Sequence, residues 1–277
     1  MKPTALLLAA VFAAPGLARA EPVELFNDRP FVRIMVNGQP VTALLDTAAE
    51  MTLIDDDAAV RLGLTAAGAA TAHGSGAAAM EARFADHVAI QAAGVSLELR
   101  AGILDLGEVS GRLIGRPVDM LLGRDLFDNA RLRLDYAAGT LTVAAGTPRG
   151  VRLPLGEHRG TPTVPAAIEG HAPVATVLDT GNGTEVLVGR AYAERIGLLA
   201  PGRIVERTQG GGLGGARARD IVYLSQLTVA GRTFRNVRAA IDPGETASDL
   251  NIGTSILRHF NLTTDFAGHQ VWLEPRP

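Results

Sequence analysis

The chain has 277 residues with 26 basic and 29 acidic side chains, a formal net charge of −3 and no cysteine. The lack of cysteine excludes disulfides, thiolate metal sites and a cysteine nucleophile, and the slightly acidic balance argues against nucleic acid as a partner. This length suits one large domain or two smaller ones, held together by hydrophobic cores.

Residues 1–20 have the pattern of a secretory signal peptide. Lys2 supplies a positive charge, Ala5 to Ala14 form a short apolar run, and Ala18-Arg19-Ala20 matches the small-x-small cleavage pattern. The run is shorter than the roughly 20 residues of a membrane-spanning helix. We expect cleavage before Glu21, no membrane span afterwards, and a periplasmic or secreted location in a bacterial envelope. An uncleaved anchor or a buried helix is the alternative.

The first half of the remaining chain contains an apolar strand that ends in Asp-Thr. Residues 36–64 read VNGQPVTALLDTAAEMTLIDDDAAVRLGL, so a turn and a strand lead to Asp46 and Thr47. A short helix is predicted over Asp55–Leu62, where three acidic residues suit the N-cap and the first turn. Short strands bounded by glycines are predicted over residues 83–90 and 95–103.

The second half repeats this order of segments about 133 residues later. Residues 169–198 read EGHAPVATVLDTGNGTEVLVGRAYAERIGL, with Asp179 and Thr180 in the equivalent positions. A second short helix is predicted over residues 190–196, and strands are predicted over residues 221–229 and 233–241. These are the only two helices that the patterns indicate. Repetition in the same order indicates a duplicated unit.

A second pair of segments repeats near the end of each half. Leu121-Leu122-Gly123 precedes Leu134-Asp135-Tyr136, and Asn251-Ile252-Gly253 precedes Thr264-Asp265-Phe266. A Gly/Pro-rich stretch at residues 146–150 has no apolar period and marks the boundary. The sequence therefore predicts an N-terminal lobe over residues 21–147 and a C-terminal lobe over residues 148–277.

The doubled Asp-Thr segments suggest a shared chemical role. One such aspartate alone is usually a turn former or a helix cap. If two repeated halves meet about an approximate two-fold axis, however, Asp46 and Asp179 face each other. Two carboxyls held that close share one proton. The ionised member can then accept a proton from water, and the protonated member can polarise a carbonyl.

These residues resemble a known family. Leu44-Leu45-Asp46-Thr47-Ala48 and Val177-Leu178-Asp179-Thr180-Gly181 are similar to the catalytic loops of retropepsin-like (pepsin-type A) aspartic proteases. The segments ending in Gly123 and Gly253 are similar to the hydrophobic-hydrophobic-Gly strand that passes beneath each loop. The resemblance covers essentially all of the chain after residue 20 and is closest to a bacterial exported form with two fused lobes.

The resemblance implies an all-β fold of two retropepsin-like β-barrel lobes, related by a pseudo-two-fold axis and each with a short helix. It implies an aspartic endopeptidase with Asp46 and Asp179 as catalytic pair, acting on a peptide or protein substrate as a monomer, without cofactor or metal. The loop-supporting residues would be Thr47, Ala48, Thr180, Gly181, Gly123 and Gly253. Two glycine-rich hairpins would form substrate-covering flaps at His73, Gly74, Ser75 and Gly76, and at Gly210, Gly211 and Gly212.

Three residues depart from the family pattern. Ala48 stands where the family has glycine, Asn251 replaces an apolar residue, and Asn182 follows the second loop where a small residue is usual. These departures leave open a catalytically weak or inactive peptide- or protein-binding module on the same fold. A dimer in which each lobe pairs with a lobe of another chain is a further alternative.

Overall fold

The computed structural model describes residues 20–276. The predicted signal peptide therefore lies outside the described residues except for Ala20, and its cleavage stays a prediction. Within the described range, no helix is both long enough and apolar enough to cross a membrane.

The described chain consists mainly of short strands, which confirms the predicted all-β class. The strands are β1 (Glu21–Phe26), β2 (Arg29–Val36), β3 (Gln39–Leu45), β4 (Leu53–Asp55), β5 (Ala67–His73), β6 (Ala79–Ala92), β7 (Val95–Leu104), β8 (Met120–Leu122), β9 (Leu132–Asp135), β10 (Thr140–Val143), β11 (Val151–Pro154), β12 (Gly156–His158), β13 (Thr161–Ile168), β14 (Val174–Leu178), β15 (Val186–Gly189), β16 (Glu206–Gly210), β17 (Arg217–Val229), β18 (Arg232–Asp242), β19 (Leu250–Ile252), β20 (Phe260–Asp265) and β21 (Gln270–Pro275). The helices are α1 (Asp56–Arg61), α2 (Gly107–Val109), a π-helical turn (Ser110–Ile114), α3 (Arg124–Asn129), α4 (Arg190–Arg195) and α5 (Thr254–Leu257).

The two predicted helices are present as α1 and α4, and Asp55 caps α1 by accepting from the backbone N–H groups of Asp57 and Ala58. The expectation that these are the only helices is wrong. In particular, α3 and α5 follow directly after Gly123 and Gly253. Each is at most about two turns long, which is too short to show a 3.6-residue apolar period in the sequence.

Each half of the chain forms a closed six-stranded barrel with the same strand order. In the N-terminal half the order is β2-β3-β8-β4-β7-β6, closed by pairing between β2 and β6. In the C-terminal half the order is β13-β14-β19-β15-β18-β17, closed by pairing between β13 and β17. The equivalent pairs β3–β8 and β14–β19 are both parallel. The duplication read from the sequence is therefore a duplication of the fold.

A sheet shared by the two halves joins the barrels. Its order is β11-β21-β20-β9-β10-β1, with three strands from each half of the chain. At its centre β9 and β20 run antiparallel, with Leu134 opposite Leu262 and Leu132 opposite Thr264. This register is what an approximate two-fold axis through the sheet would produce. One continuous core cluster also contains buried residues of both halves, including Phe127, which stacks on Phe266 at 5.6 Å between ring centroids.

Candidate active site

Each Asp-Thr loop begins where an apolar strand leaves its barrel. β3 ends at Leu45, and the backbone N–H of Asp46 donates to the carbonyl of Leu122 at 3.0 Å. In the other half β14 ends at Leu178, and the N–H of Asp179 donates to Ile252 at 3.1 Å. The ends of β8 and β19 thus each accept a hydrogen bond from the backbone N–H of one aspartate.

Gly123 and Gly253 directly follow β8 and β19 and pack closely against the chain after each Asp-Thr loop. A Cβ atom at Gly123 would be 2.6 Å from the carbonyl carbon of Met51, and one at Gly253 would be 2.8 Å from Cγ of Asn182. Real Cβ atoms do not approach other atoms so closely. Glycine is therefore required at both positions so that the loops can pack on the strands beneath them.

Thr47 and Thr180 connect the two loops across the barrels. The Thr47 hydroxyl donates to the carbonyl of Leu178 at 2.6 Å and accepts from the backbone N–H of Thr180 at 3.0 Å. The Thr180 hydroxyl reciprocates, donating to the carbonyl of Leu45 at 2.7 Å and accepting from the N–H of Thr47 at 3.1 Å. All four bonds are buried. They hold the two loops in register within one chain.

The carboxyl groups of the two aspartates have different partners. Oδ1 of Asp46 accepts from the backbone N–H groups of Ala48 and Ala49 at 3.0 and 3.1 Å. The same carboxyl lies against the opposite loop, because a Cβ atom at Gly181 would be 2.5 Å from Cγ of Asp46. The Asp46 side chain therefore reaches the loop that carries Asp179. Asp179 is the residue with which the sequence predicts Asp46 to pair, and the pairing of the two carboxyls stays a prediction.

Asp179 accepts hydrogen bonds on both carboxyl oxygens. Oδ1 accepts from the backbone N–H of Asn182 at 3.0 Å, and Oδ2 accepts from Nδ2 of Asn251 at 2.8 Å. Asn251 lies on β19 beneath the loop. Its equivalent in the other barrel is apolar, so this contact distinguishes the two halves of the site.

The surroundings of the aspartates raise the pKa of both. Burial raises the pKa of Asp46 to about 7, and the charge of Asp179 adds to the increase. Burial also raises the pKa of Asp179, opposed chiefly by the hydrogen bond from Asn251. Each side chain keeps a partly accessible face. Two neighbouring carboxyls whose pKa values are both raised can share one proton and serve as an acid–base pair.

Arg29 is a buried cation beside this pair that the sequence analysis missed. Its side chain is 2% exposed, and Nε donates to the carbonyl of Gly181 at 3.1 Å. Burial lowers the pKa of Arg29, and its charge lowers the pKa of both Asp46 and Asp179. Arg29 is the first residue of β2, which pairs with β3, the strand that leads to Asp46. Its partner Gly181 lies in the other half of the chain, so no local motif indicates this contact.

Ala48 fits the first loop without an unusual backbone conformation. Within the described residues it is not among those with positive φ. The loop therefore does not demand the left-handed conformation that favours glycine. The difference from glycine at this position is therefore the space that the methyl group occupies.

A family model described as aspartyl protease matches the chain twice, over residues 32–126 and 164–256. Together the two segments cover more than half of the chain, and each contains one Asp-Thr loop. The chain belongs to this aspartyl protease family. The match agrees with the retropepsin-like resemblance, whereas nothing in it supports the narrower label pepsin-type A.

Among solved structures, the chain is similar to a retropepsin-like aspartic protease from Rickettsia conorii. The two share 15% sequence identity with a TM-score of 0.36, and the alignment covers 44% of this chain and 88% of that one. Comparison with curated protein sequences gave no match.

The two predicted flaps of this aspartyl protease family member are hairpin loops that touch each other. The first joins β5 to β6 and is called flap 1 here (residues 74–78). The second joins β16 to β17 and is called flap 2 (residues 211–216). Gly74, Ser75, Gly76, Gly211 and Gly212 lie in these loops. His73 and Gly210 are the last residues of the strands before them, and His73 is exposed.

Backbone hydrogen bonds join the two flap tips. The N–H of Gly76 donates to the carbonyl of Leu213 at 2.8 Å, and the N–H of Ala78 donates to that of Gly214 at 2.8 Å. The side chain of Leu213 also packs against an apolar cluster of the N-terminal barrel that includes Leu121, a residue of β8. Flap 2 thus reaches across to the apolar cluster of the N-terminal barrel. The sequence analysis had not identified Leu213 or Gly214.

Two arginines, also missed in the sequence, hold the flaps by their backbone carbonyls. Arg112, in the π-helical turn of the N-terminal half, donates to the carbonyls of Gly210 and Gly212, each at 3.0 Å. Arg217, at the start of β17, donates to the carbonyl of Gly76 at 2.5 Å. Each half of the chain therefore holds the flap of the other half.

Proposed function

We propose that this chain is an aspartic endopeptidase that hydrolyses peptide bonds with a water activated by Asp46 and Asp179. The observation that carries the proposal is the set of four buried hydrogen bonds made by Thr47 and Thr180 across the barrels. Because these bonds fix the loops to each other, they support a single site that contains both carboxyls. Family membership supports a peptide or protein substrate.

The chemistry needs one proton on the pair. The ionised aspartate accepts a proton from water as the water oxygen bonds to the carbonyl carbon, while the other aspartate gives its proton to the carbonyl oxygen. The tetrahedral diol then collapses. Its C–N bond breaks, a diol hydroxyl returns a proton to the pair, and the leaving nitrogen takes one from it. One water is consumed, and the pair again holds one proton.

The proposal is tested with protein purified from residue 21 onward and a mixed peptide library between about pH 3 and 8. We expect new peptide termini whose formation a statine-type inhibitor blocks. Asp46→Asn and Asp179→Asn should each abolish cleavage, because an amide can neither share the proton nor act as a base. Circular dichroism should show both variants folded.

Retention of most activity by either folded variant would contradict the proposal. Saturable peptide binding without new termini, under all conditions tested, would also contradict it and would support the peptide-binding module instead.

A further inference from the structure

Asn251 and Leu121 occupy equivalent positions beneath the two aspartates. In the parallel pairing of β3 with β8, Leu121 lies opposite Leu44, two residues before Asp46. In the pairing of β14 with β19, Asn251 lies opposite Val177, two residues before Asp179. The same place in the two barrels thus holds an apolar side chain under one aspartate and an amide under the other.

The direction of the Asn251 amide is fixed by a chain of hydrogen bonds that starts at a backbone donor. The N–H of Thr184 donates to Oδ1 of Asn182 at 3.0 Å, so Nδ2 of Asn182 is the end left to donate. That Nδ2 donates to Oδ1 of Asn251 at 3.0 Å. Nδ2 of Asn251 therefore points at Oδ2 of Asp179. A backbone N–H can only donate, so neither amide can be reversed without losing a bond.

This chain makes the aspartate pair unequal. Both oxygens of Asp179 accept hydrogen bonds, from the backbone of Asn182 and from Asn251, and a carboxyl that accepts on both oxygens is favoured in its ionised form. In Asp46, by contrast, both backbone hydrogen bonds end on Oδ1. Oδ2 of Asp46, which lies against Gly181, is the position left for the shared proton.

We propose that Asn251, oriented by Asn182, is a positioning residue that fixes the order of protonation within the pair. Asp179 is then the ionised member that accepts the proton of water, and Asp46 is the protonated member that polarises the substrate carbonyl. These two roles rest on the proposed function, whereas the order of protonation does not.

Arg29 is the other charged group that faces the pair, and it does not by itself determine which aspartate is ionised. The positive charge of Arg29 lowers the pKa of both Asp46 and Asp179. Burial raises the pKa of Asp179, and the hydrogen bond from Asn251 is the largest of the effects that oppose it. Both aspartates accept backbone hydrogen bonds, whereas the side-chain bond from Asn251 has no counterpart from Leu121 under Asp46, so Asn251 is the group that separates the two.

The test is a titration of the aspartate side-chain carboxyls by 13C NMR, assigned with Asp46→Asn and Asp179→Asn. In the native protein, the chemical shift of the Asp179 carboxyl should change at the lower of the two pKa values of the pair. In Asn251→Leu, which copies Leu121, that lower pKa should rise by about one unit, the size expected for loss of a hydrogen bond to a charged group. Asn251→Ala serves as a second variant should leucine prevent folding.

Two further variants separate this effect from altered packing. Asn182→Ala should raise the lower pKa in the same direction by a smaller amount, because the Asn251 amide is then free to turn. Leu121→Ala, the matched position in the other barrel, should leave the titration of Asp179 unchanged. If peptide cleavage is found, the acid limb of the kcat/KM profile should move with the lower pKa in Asn251→Leu.

The inference would be overturned if, in the native protein, the chemical shift of the Asp46 carboxyl changed at the lower of the two pKa values. So would a lower pKa that is unchanged in both Asn251 variants. Because the NMR titration requires no cleavage, a protein without peptidase activity could still confirm it. An active peptidase with an unchanged titration would overturn this inference alone.

Discussion

At the scale of single residues, the two Asp-Thr loops are similar in backbone and unequal in side chains. Gly181 has no room for a Cβ atom because the Asp46 carboxyl lies against it, yet the equivalent residue of the first loop is Ala48. With strict two-fold symmetry, the Ala48 methyl would press on Asp179 in the same way. The pair is therefore asymmetric in space as well as in its hydrogen bonds.

Gly181→Ala is expected to lower peptidase kcat/KM by about 100-fold, because the added methyl must displace the Asp46 carboxyl. Ala48→Gly, the matched change in the other loop, should keep kcat/KM within about tenfold of the native value, since Ala48 needs no special φ. Steady-state kinetics of both variants check this, with thermal unfolding as a control for folding. Near-native activity of Gly181→Ala would show that the carboxyl can move without cost.

The raised pKa of Asp46 also predicts how stability depends on pH. Because the folded-state pKa is about 7, above the usual aspartate range, folding favours the protonated form. That stabilisation is fully present below about pH 4 and is lost as the pH rises through 7. Asp46→Asn cannot ionise, so at pH 8 it should be more stable than the native protein by at least about 1 kcal/mol, with a smaller difference at pH 4.

Thermal unfolding of the native protein and Asp46→Asn across this pH range measures the difference. Glu245→Gln, which removes an exposed carboxylate, is the control and should show no such trend. A difference between native protein and Asp46→Asn that does not grow from pH 4 to pH 8 would contradict the raised pKa.

At the scale of structural elements, the flaps depend on each other. Flap 1 donates two backbone hydrogen bonds to flap 2. Arg112 of the N-terminal half binds two backbone carbonyls of the hairpin that carries flap 2, and Arg217 of the C-terminal half binds one carbonyl of flap 1. Glycine-rich tips permit this close approach because a Cβ at Gly74 would be 2.6 Å from the Cβ of Leu213. Any substrate that passes between the flaps must first separate these contacts.

Arg112→Gln should loosen flap 2, because the guanidinium makes two hydrogen bonds to its backbone. We expect amide hydrogen exchange at Gly76 and Ala78 to become at least about tenfold faster, as expected for loss of hydrogen bonds from a charged donor. Hydrogen-exchange mass spectrometry of residues 74–78 measures this. Arg100→Gln is the control, since Arg100 pairs with Asp86 on the surface of its own barrel. Equal exchange in both variants would rule out a role for Arg112 in holding the flaps.

At the scale of the whole molecule, the shared sheet makes the two barrels one unit. Three strands from each half form this sheet, and β9 of one half pairs with β20 of the other. One core cluster also spans both halves. Pulling the lobes apart would expose two strand edges and part of this core. The two Asp-Thr loops are therefore held together by the shared sheet as well as by their threonines.

The whole described chain should consequently unfold in one cooperative step. Trp272 is the only tryptophan in the sequence and lies on β21 in the shared sheet, so its fluorescence reports on the junction. The midpoint of thermal unfolding followed by Trp272 fluorescence should agree within about 1 °C with the midpoint followed by far-UV circular dichroism, which reports on both barrels. Two separated transitions would show that the lobes unfold independently.

The duplication, the all-β class and the two Asp-Thr loops could be read from the sequence because each depends on short segments of the chain. A strand that stops at Asp46 or Asp179, and a glycine at residue 123 or 253, leaves a local pattern that recurs at equal spacing. The short helices α3 and α5 escaped detection because elements of about one or two turns show too little periodicity.

Tertiary structure alone decided which side chains contact the two aspartates and the two flaps. Arg29 in the first half binds the loop of the second half, and Arg112 holds a flap of the other half, so neither contact leaves a sequence pattern. The sequence marked Asn182 and Asn251 as departures, but not as partners. They become a directed chain of hydrogen bonds only because β19 lies beneath the second loop and a backbone N–H fixes which way each amide points.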